Sequence, residues 1–407
     1  MLLKSYLINL GLNMSVPVFK SIDYDAVGAA EALVPILQKR SAKTESARSI
    51  SEETILDLRE SGLTRIGQPK YLGGHELPFD QSVEAISRIA RGCASTAWVC
   101  GVFNDHAITI GMFNSKAAED IWGDNPNALV SAGFTPSGEV ERTDGGWQLS
   151  GTWGWSSGCD HADWLMVVVM LPEHSSDLVS PSFCLVPKID VKIDDNWQVM
   201  GLAGTGSKNI VIENAYVPDH RTFSCKETND GSARRIENKV SPLFCLPRTG
   251  VIPFMLAAPS VGVAESCLKT HIDFLRMQKG TGGVSLSNHS TMQMHVAEAS
   301  AEIDCAKMLM KRDCQDAMTA MYNKKELTIE QRARCRRDMA YMVMLCRRAV
   351  NRLFTAAGGK GIFLENEMQR NFRDINAISA HLALNWDVAG TTYGKISLGI
   401  ESDGLLV

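Results

Sequence analysis

No run of about 18 uncharged apolar residues occurs in the chain, so nothing in it reads as a membrane-spanning helix. The opening MLLKSYLINLGLNMSVPVF has one lysine, a broken apolar run and no cleavage-site pattern, and is read as a short extension, with Met14 an alternative start. Strong charge of one sign is also missing. The formal net charge is −5 over 407 residues, with lysine and arginine scattered along the chain, so phosphate backbones and anionic membranes exert no global pull. Nucleic acid and membrane are therefore not expected partners. The 11 cysteines form no CxxC pair and no His-Cys ligand spacing, and an odd number cannot all pair within one chain. They are expected to be reduced packing residues of a cytoplasmic protein, with no metal site. Repeats and low-complexity tracts are absent as well, while 45% of the residues are apolar, which excludes disorder and allows a large core.

What is present divides into three textures. Ser51 before Glu52 and Glu53, followed by Ile55, Leu58 and Leu63, predicts a capped amphipathic helix. Asp80 repeats the cap signal before Val83, Ile86 and Ile89, and the stretch from Thr96 to Ile110 is apolar enough for a central buried helix. After Trp122, prolines and the Asp144-Gly145-Gly146 turn break helices, and Trp147, Leu149, Trp153 and Trp155 recur at strand period. Strands are expected at Trp164 to Leu171, Ser182 to Val186 and Lys208 to Glu213, with Pro218 ending the strand region. A polar linker or loop spans Ser224 to Val240. Long helical patterns then return over Ser260 to Gln278, Met292 to Ala320, Ile329 to Ala357 and Asn376 to Leu398. The expected fold class is mainly α with an inserted β domain. Its parts are an N-terminal extension (1–19), a helical domain (20–125), a central β-barrel-like domain (126–228) and a C-terminal four-helix bundle (229–407).

Three segments carry chemistry. Trp153-Gly154-Trp155-Ser156-Ser157-Gly158-Cys159-Asp160-His161 offers an aromatic wall edged with hydroxyl groups, suited to a planar heterocycle, although a turn with tryptophan as core filling fits the same residues. Gly201 to Ser207 is by itself a weak phosphate-loop candidate and reads more simply as a turn. Arg373-Asp374 leads to His381, Asn385 and Asp387, with His381 and Asn385 expected on one helical face. The arginines from Arg332 to Arg348 interleave with Met339, Met342 and Leu345, which predicts a solvated or intersubunit face around an apolar stripe.

Taken together, the order and spacing of these segments resemble the acyl-CoA dehydrogenase superfamily. The likeness is closest to the oxygenase components of two-component flavin-dependent monooxygenases of the 4-hydroxyphenylacetate 3-hydroxylase type. It covers about residues 20–400 and rests on the Trp155-Ser156-Ser157-Gly158-Cys159-Asp160-His161-Ala162 segment and on Arg373 to Asp387. Dehydrogenases of the superfamily need a glutamate base, many of them in a Tyr-Glu-Gly-Thr stretch, and Trp386 to Gly399 holds no glutamate. An FAD-dependent acyl-CoA dehydrogenase is thus the enzyme alternative, and a non-catalytic flavin-binding or scaffold protein the other.

The resemblance implies reduced flavin, FMNH2 or FADH2, supplied by a separate NAD(P)H:flavin reductase, and O2 as co-substrate. A flavin C4a-hydroperoxide would hydroxylate a small aromatic of phenol or indole type, in a homotetramer. By position Ser157 accepts from the flavin N5–H, with Ser156 as the fallback and Trp155 as the wall against the ring. His106 and Ser131 hold the substrate oxygen, His106 as its base, and His381 faces the reactive oxygen. Arg276, Gln293 and the Gly358-Gly359 turn are the phosphate-end candidates. Trp98, Phe103, Trp122, Phe134 and Trp386 are candidates to line an apolar substrate pocket.

Overall fold

The computed structural model describes residues 24–172, 179–230, 241–278, 283 and 285–401. The expected extension over 1–19 and residues 231–240 of the Ser224 to Val240 linker lie outside them. Five helices open the fold: α1 (Ala26–Ala47), α2 (Glu52–Glu60), α3 (Phe79–Ala90), α4 (Ala94–Gly111) and α5 (Ser115–Trp122). Ser51 caps α2 as expected, its hydroxyl accepting from the Thr54 amide at 3.3 Å. Asp80 does not cap α3. The helix starts one residue earlier, after Pro78, and Asp80 lies in the first turn, where its charge still meets the positive helix end. Every residue of α4 is buried. Its small and apolar positions pack against α3, the first β-strand and the bundle, so the polar groups it carries are held in the interior.

Two four-stranded sheets follow. One has the order β1 (Val130–Gly133), β4 (Trp164–Pro172), β5 (Val179–Pro187) and β8 (Thr222–Ser224), with β1 parallel to β4. The other has the order β2 (Glu139–Thr143), β3 (Gly146–Ser156), β7 (Lys208–Pro218) and β6 (Val191–Asp194), and is antiparallel throughout. Leu149, Trp153, Val167, Val186 and Ile212 fill the space between the sheets. Pro218 does not end the strand region, because a 3-10 turn over Asp219–Arg221 returns the chain to pair β8 with β5. Strand alternation in β3 holds only as far as Trp153. A register shift between Trp153 and Ser156 then turns Trp155 outward at φ 57°, leaving it 70% exposed against 0% for Trp153. All eleven cysteines are unpaired.

After a short helix α6 (Cys225–Asp230), the bundle comprises α7 (Phe254–Met277), α8 (Ser290–Tyr322), α9 (Ile329–Ala356), α10 (Glu367–Ser379) and α11 (Trp386–Ser397). The expected helix over Asn376 to Leu398 is broken in two. His381 Nδ1 accepts from the Ala383 amide, and Asn385 Oδ1 accepts from the amides of Asp387 and Val388. Side chains that cap backbone N–H groups compete with helix continuation, so His381 and Asn385 start new turns and do not share a helical face. The α9 arginines form no bare basic patch. Arg334, Arg348 and Arg352 bind Asp313, Asp316, Glu298 and Glu302 of α8, Arg337 binds its neighbour Asp338, and Arg312 reaches back from α8 to Asp338, which ties the two longest helices together. Among the described residues no helix is long and apolar enough to cross a membrane.

Candidate active site

The end of β3, the middle of α4, the loop before β7 and the break after α10 meet in one place. The bulge that exposes Trp155 sends Ser156 inward and delivers Ser157 beside α4. Trp98 Nε1 donates to Ser157 Oγ at 3.1 Å. Ser157 Oγ lies 2.7 Å from Ser207 Oγ, which lies 2.7 Å from Thr205 Oγ1, and Thr205 Oγ1 donates to the Leu202 carbonyl at 2.8 Å. Gly201 to Ser207 is thus no phosphate loop but a buried connector, with Leu202 and Gly206 both in the left-handed region and a 3-10 turn between them. Asp374 of α10 fixes it by accepting from the Leu202 amide at 2.7 Å, while Arg373 donates to the Met200 carbonyl and binds Glu45. Burial raises the Asp374 carboxyl to about 6.

Two histidines face this region in opposite tautomers. His106 Nδ1 lies 2.7 Å from the Val130 carbonyl, which can only accept, so Nδ1 carries the proton and Nε2 the lone pair. His381 Nδ1 accepts from a backbone amide, so in the neutral ring its Nε2 carries the proton. Trp98 and the His381 ring meet in a T-shaped contact, with centroids 5.5 Å apart. Burial pushes both imidazoles down from 6.5 to about 4, opposed by the nearby charge of Asp105 and helped by that of Arg248. The neutral-range base expected at His106 is therefore a much weaker one. Its helix is wholly interior, and desolvation disfavours the imidazolium.

Sequence reasoning missed Asp105 and Arg248. Arg248 Nη2 binds the buried Asp105 carboxylate at 3.0 Å, and its guanidinium lies 4.5 Å over the Phe134 ring, which makes a T-shaped contact with His106. Arg248 Nε is buried with no partner among the described residues. A charged residue beside His106 in an otherwise apolar run was the available signal, since a carboxylate in a buried helix requires a cation. Thr205 and Ser207 were also missed as members of the serine cluster.

The other expected residues are placed as follows. Ser131 is wholly buried and donates to the Ser157 carbonyl at 2.7 Å, so the Ser156 hydroxyl, 2.7 Å away, donates to Ser131. Ser156 thus points into the β domain and Ser157 toward α4. Trp386 tilts against Tyr341 at 5.3 Å, and no bond or ring contact among the described residues links it to the histidines or the hydroxyls. Trp122 is a core residue donating to the Ala128 carbonyl. His161 bonds the Ile50 carbonyl, holding α2 to the turn after β3. Arg276, Gln293, Gly358 and Gly359 lie at one end of the bundle, where Lys360 donates to Gln278 at 2.6 Å, and no bond among the described residues links them to Ser156 or Ser157. There the Arg276 side chain is 73% exposed and makes an ion pair at 3.8 Å to Asp273.

An inserted β unit between a buried helical layer and a long bundle, with the polar cluster at their junction, defines an acyl-CoA dehydrogenase-type fold. Residues 254–386 match the family model for the acyl-CoA dehydrogenase C-terminal domain. The chain is 34% identical over 388 residues to the FADH(2)-dependent resorcinol hydroxylase oxygenase component of Rhizobium sp. (strain MTP-10005), covering 93% of this chain and 95% of that protein. It is 31% identical to the flavin-dependent monooxygenase oxygenase subunit HsaA of Rhodococcus jostii (strain RHA1), covering 93% and 99%. The crystal structure of 3-HSA hydroxylase from Rhodococcus sp. RHA1 matches with a TM-score of 0.89 at 30% identity, over 95% of this chain and 99% of that one. The chain belongs to the family of oxygenase components of flavin-dependent monooxygenases.

Proposed function

We propose that this oxygenase takes reduced flavin, FMNH2 or FADH2, from a separate NAD(P)H:flavin reductase and uses O2 to hydroxylate a small electron-rich aromatic ring, most simply a phenol. The residues fit such a cofactor. Trp155 is a large aromatic held outward at positive φ, a conformation unfavourable by about 1–2 kcal/mol that folding alone does not reward. Two residues on, the Ser157 hydroxyl meets Trp98, against which the His381 ring with its N–H packs, the donor and acceptor chemistry a flavin edge needs. When bound, reduced flavin supplies the electrons that make oxygen electrophilic.

The chain's own residues then act on the flavin, the oxygen and the substrate. Ser157 accepts from the flavin N5–H and keeps that proton in place, with Trp155 as the wall. His381, neutral and with its proton on Nε2, donates toward the reactive oxygen. His106 receives the substrate hydroxyl at Nε2. A phenol ionises near 10 and this imidazole near 4, so full proton transfer between them would be unfavourable by ~8 kcal/mol. His106 therefore orients and polarises the hydroxyl, and the Arg248 charge stabilises negative charge on the ring oxygen. Trp98, bonded to Ser157 and packed against His381, excludes water between them.

Arg276, Gln293, Gly358 and Gly359 are proposed to meet the flavin phosphate across a subunit boundary in a homotetramer. Support comes from Met277, Met294, Phe363 and Leu364, apolar side chains left exposed at that same end.

The observation that carries the reading is the cluster of Ser157, Trp98 and His381, with Ser157 two residues along from the outward Trp155. It is tested by mixing the protein anaerobically with reduced FMN or FADH2, admitting O2 with a panel of phenols, and comparing product with hydrogen peroxide. Hydroxylated product in excess of peroxide is expected, and Ser157→Ala should shift the ratio toward peroxide with flavin binding largely kept. Peroxide without product, together with reduction of bound FAD by an acyl-CoA, would overturn the reading.

A further inference from the structure

We propose that Thr205 and Ser207 are positioning residues that set the polarity of Ser157, turning its proton away from the flavin and leaving its oxygen as a pure acceptor. The proposal rests on the reading that Ser157 faces the flavin N5. Each hydroxyl has a single proton to donate. Thr205 gives its proton to the Leu202 carbonyl at 2.8 Å, so the 2.7 Å contact with Ser207 must be a bond from Ser207 to Thr205. Ser207 is then without a proton for Ser157, and the second 2.7 Å contact must run from Ser157 to Ser207. Trp98 Nε1, which can only donate, occupies one Ser157 lone pair at 3.1 Å. One lone pair remains, and it can receive only a donor.

The direction is set at the far end. Leu202 sits in the left-handed region at φ 53°, its amide held by Asp374, and its carbonyl also accepts from the Thr205 amide at 3.0 Å. A second backbone bond, from the Gly158 amide to the Thr205 carbonyl at 2.9 Å, ties the loop to the serine turn. Thr205, Ser207, Ser157 and Trp98 are all buried, so bulk water does not compete for these protons.

The two flavin redox states differ at the atom concerned. Reduced flavin presents N5–H, a donor, whereas oxidised flavin presents a bare N5 that seeks one. A polarised Ser157 favours the first and leaves the second facing a lone pair. In Thr205→Val, Ser207 loses its acceptor and becomes free to donate to Ser157, which turns the Ser157 proton outward. In Ser207→Ala that proton is released directly. The backbone bonds above involve neither side chain, so the loop is retained in both variants.

The experiment measures dissociation constants of oxidised and anaerobically reduced FMN and FAD for the wild type, Thr205→Val, Ser207→Ala, Thr205→Ser and Ser157→Ala, with thermal melting as the check on folding. The ratio of oxidised to reduced Kd should fall about five- to tenfold in Thr205→Val and Ser207→Ala, the effect of one hydrogen bond changing sign, and stay near wild type in Thr205→Ser. If Ser157→Ala lowers the ratio while Thr205→Val and Ser207→Ala keep it, the proposed polarity is wrong and the placement of Ser157 stands. If Ser157→Ala keeps the wild-type ratio, flavin does not meet Ser157 and the reading beneath the proposal fails with it.

Discussion

Replacing both site histidines should change how the fold responds to acid, by an amount that follows from their burial. In an unfolded chain an imidazole titrates near 6.5, whereas in this fold His106 and His381 are held near 4. Between those values the unfolded chain binds protons that the native chain refuses, so stability is full above 6.5, falls as the pH drops toward 4 and levels off below it. At pH 5 each histidine lowers stability by ~2 kcal/mol relative to pH 7.5, and the pair by ~4 kcal/mol. Asp374 works in the opposite sense. Its carboxyl is raised to about 6, so the native chain keeps a proton there that the unfolded chain has lost, and stability rises as the pH falls from 6 toward 3.8. Because that contribution is common to both proteins, the comparison isolates the histidines. Urea unfolding followed by tryptophan fluorescence, at pH 7.5 and pH 5.0, should show the wild type losing about 4 kcal/mol more than His106→Gln/His381→Gln. Parallel losses in the two proteins would refute the argument, because the native histidines would then be taking up protons freely.

Other outcomes test the surrounding structure. Trp155→Gly should stabilise the fold by ~1 kcal/mol in thermal unfolding, since glycine relieves the positive φ and the ring buries little surface, while flavin binding weakens. Gly201→Ala should cost about 1–3 kcal/mol and loosen the connector, because a Cβ there would stand 2.3 Å from the Arg373 carbonyl oxygen; limited proteolysis and melting would detect it. Arg248→Lys keeps the charge beside Asp105 but removes the planar guanidinium over Phe134, so steady-state kinetics should show KM for a phenolic substrate rising ~10-fold with little change in kcat.

The architecture was legible in the sequence because its signals are local. Ser51 announced its helix, the tryptophan spacing announced β3, and the apolar run around Trp98 announced a buried helix. The serine turn was legible for the same reason. What failed to show depends on where the fold brings distant segments together. Nothing near Thr205 or Ser207 indicates that they lie against Ser157, some 50 residues earlier, and Arg248 meets Asp105 across 143 positions. The break at His381 was hidden because a histidine used as a backbone cap looks, in a list of residues, like any helical histidine. The base strength of His106 could not be read either, since it is fixed by the shell around the helix and not by the helix itself.

The row of hydroxyls behind Ser157 ends on the Leu202 carbonyl, an amide oxygen with no proton to hand on and too little basicity to take one. A proton wire needs an exit to a titrating group or to solvent, and this row has neither at its buried end. It conducts polarity without conducting charge. On the proposed reading, the Ser157 hydroxyl is thereby backed by a proton insulator.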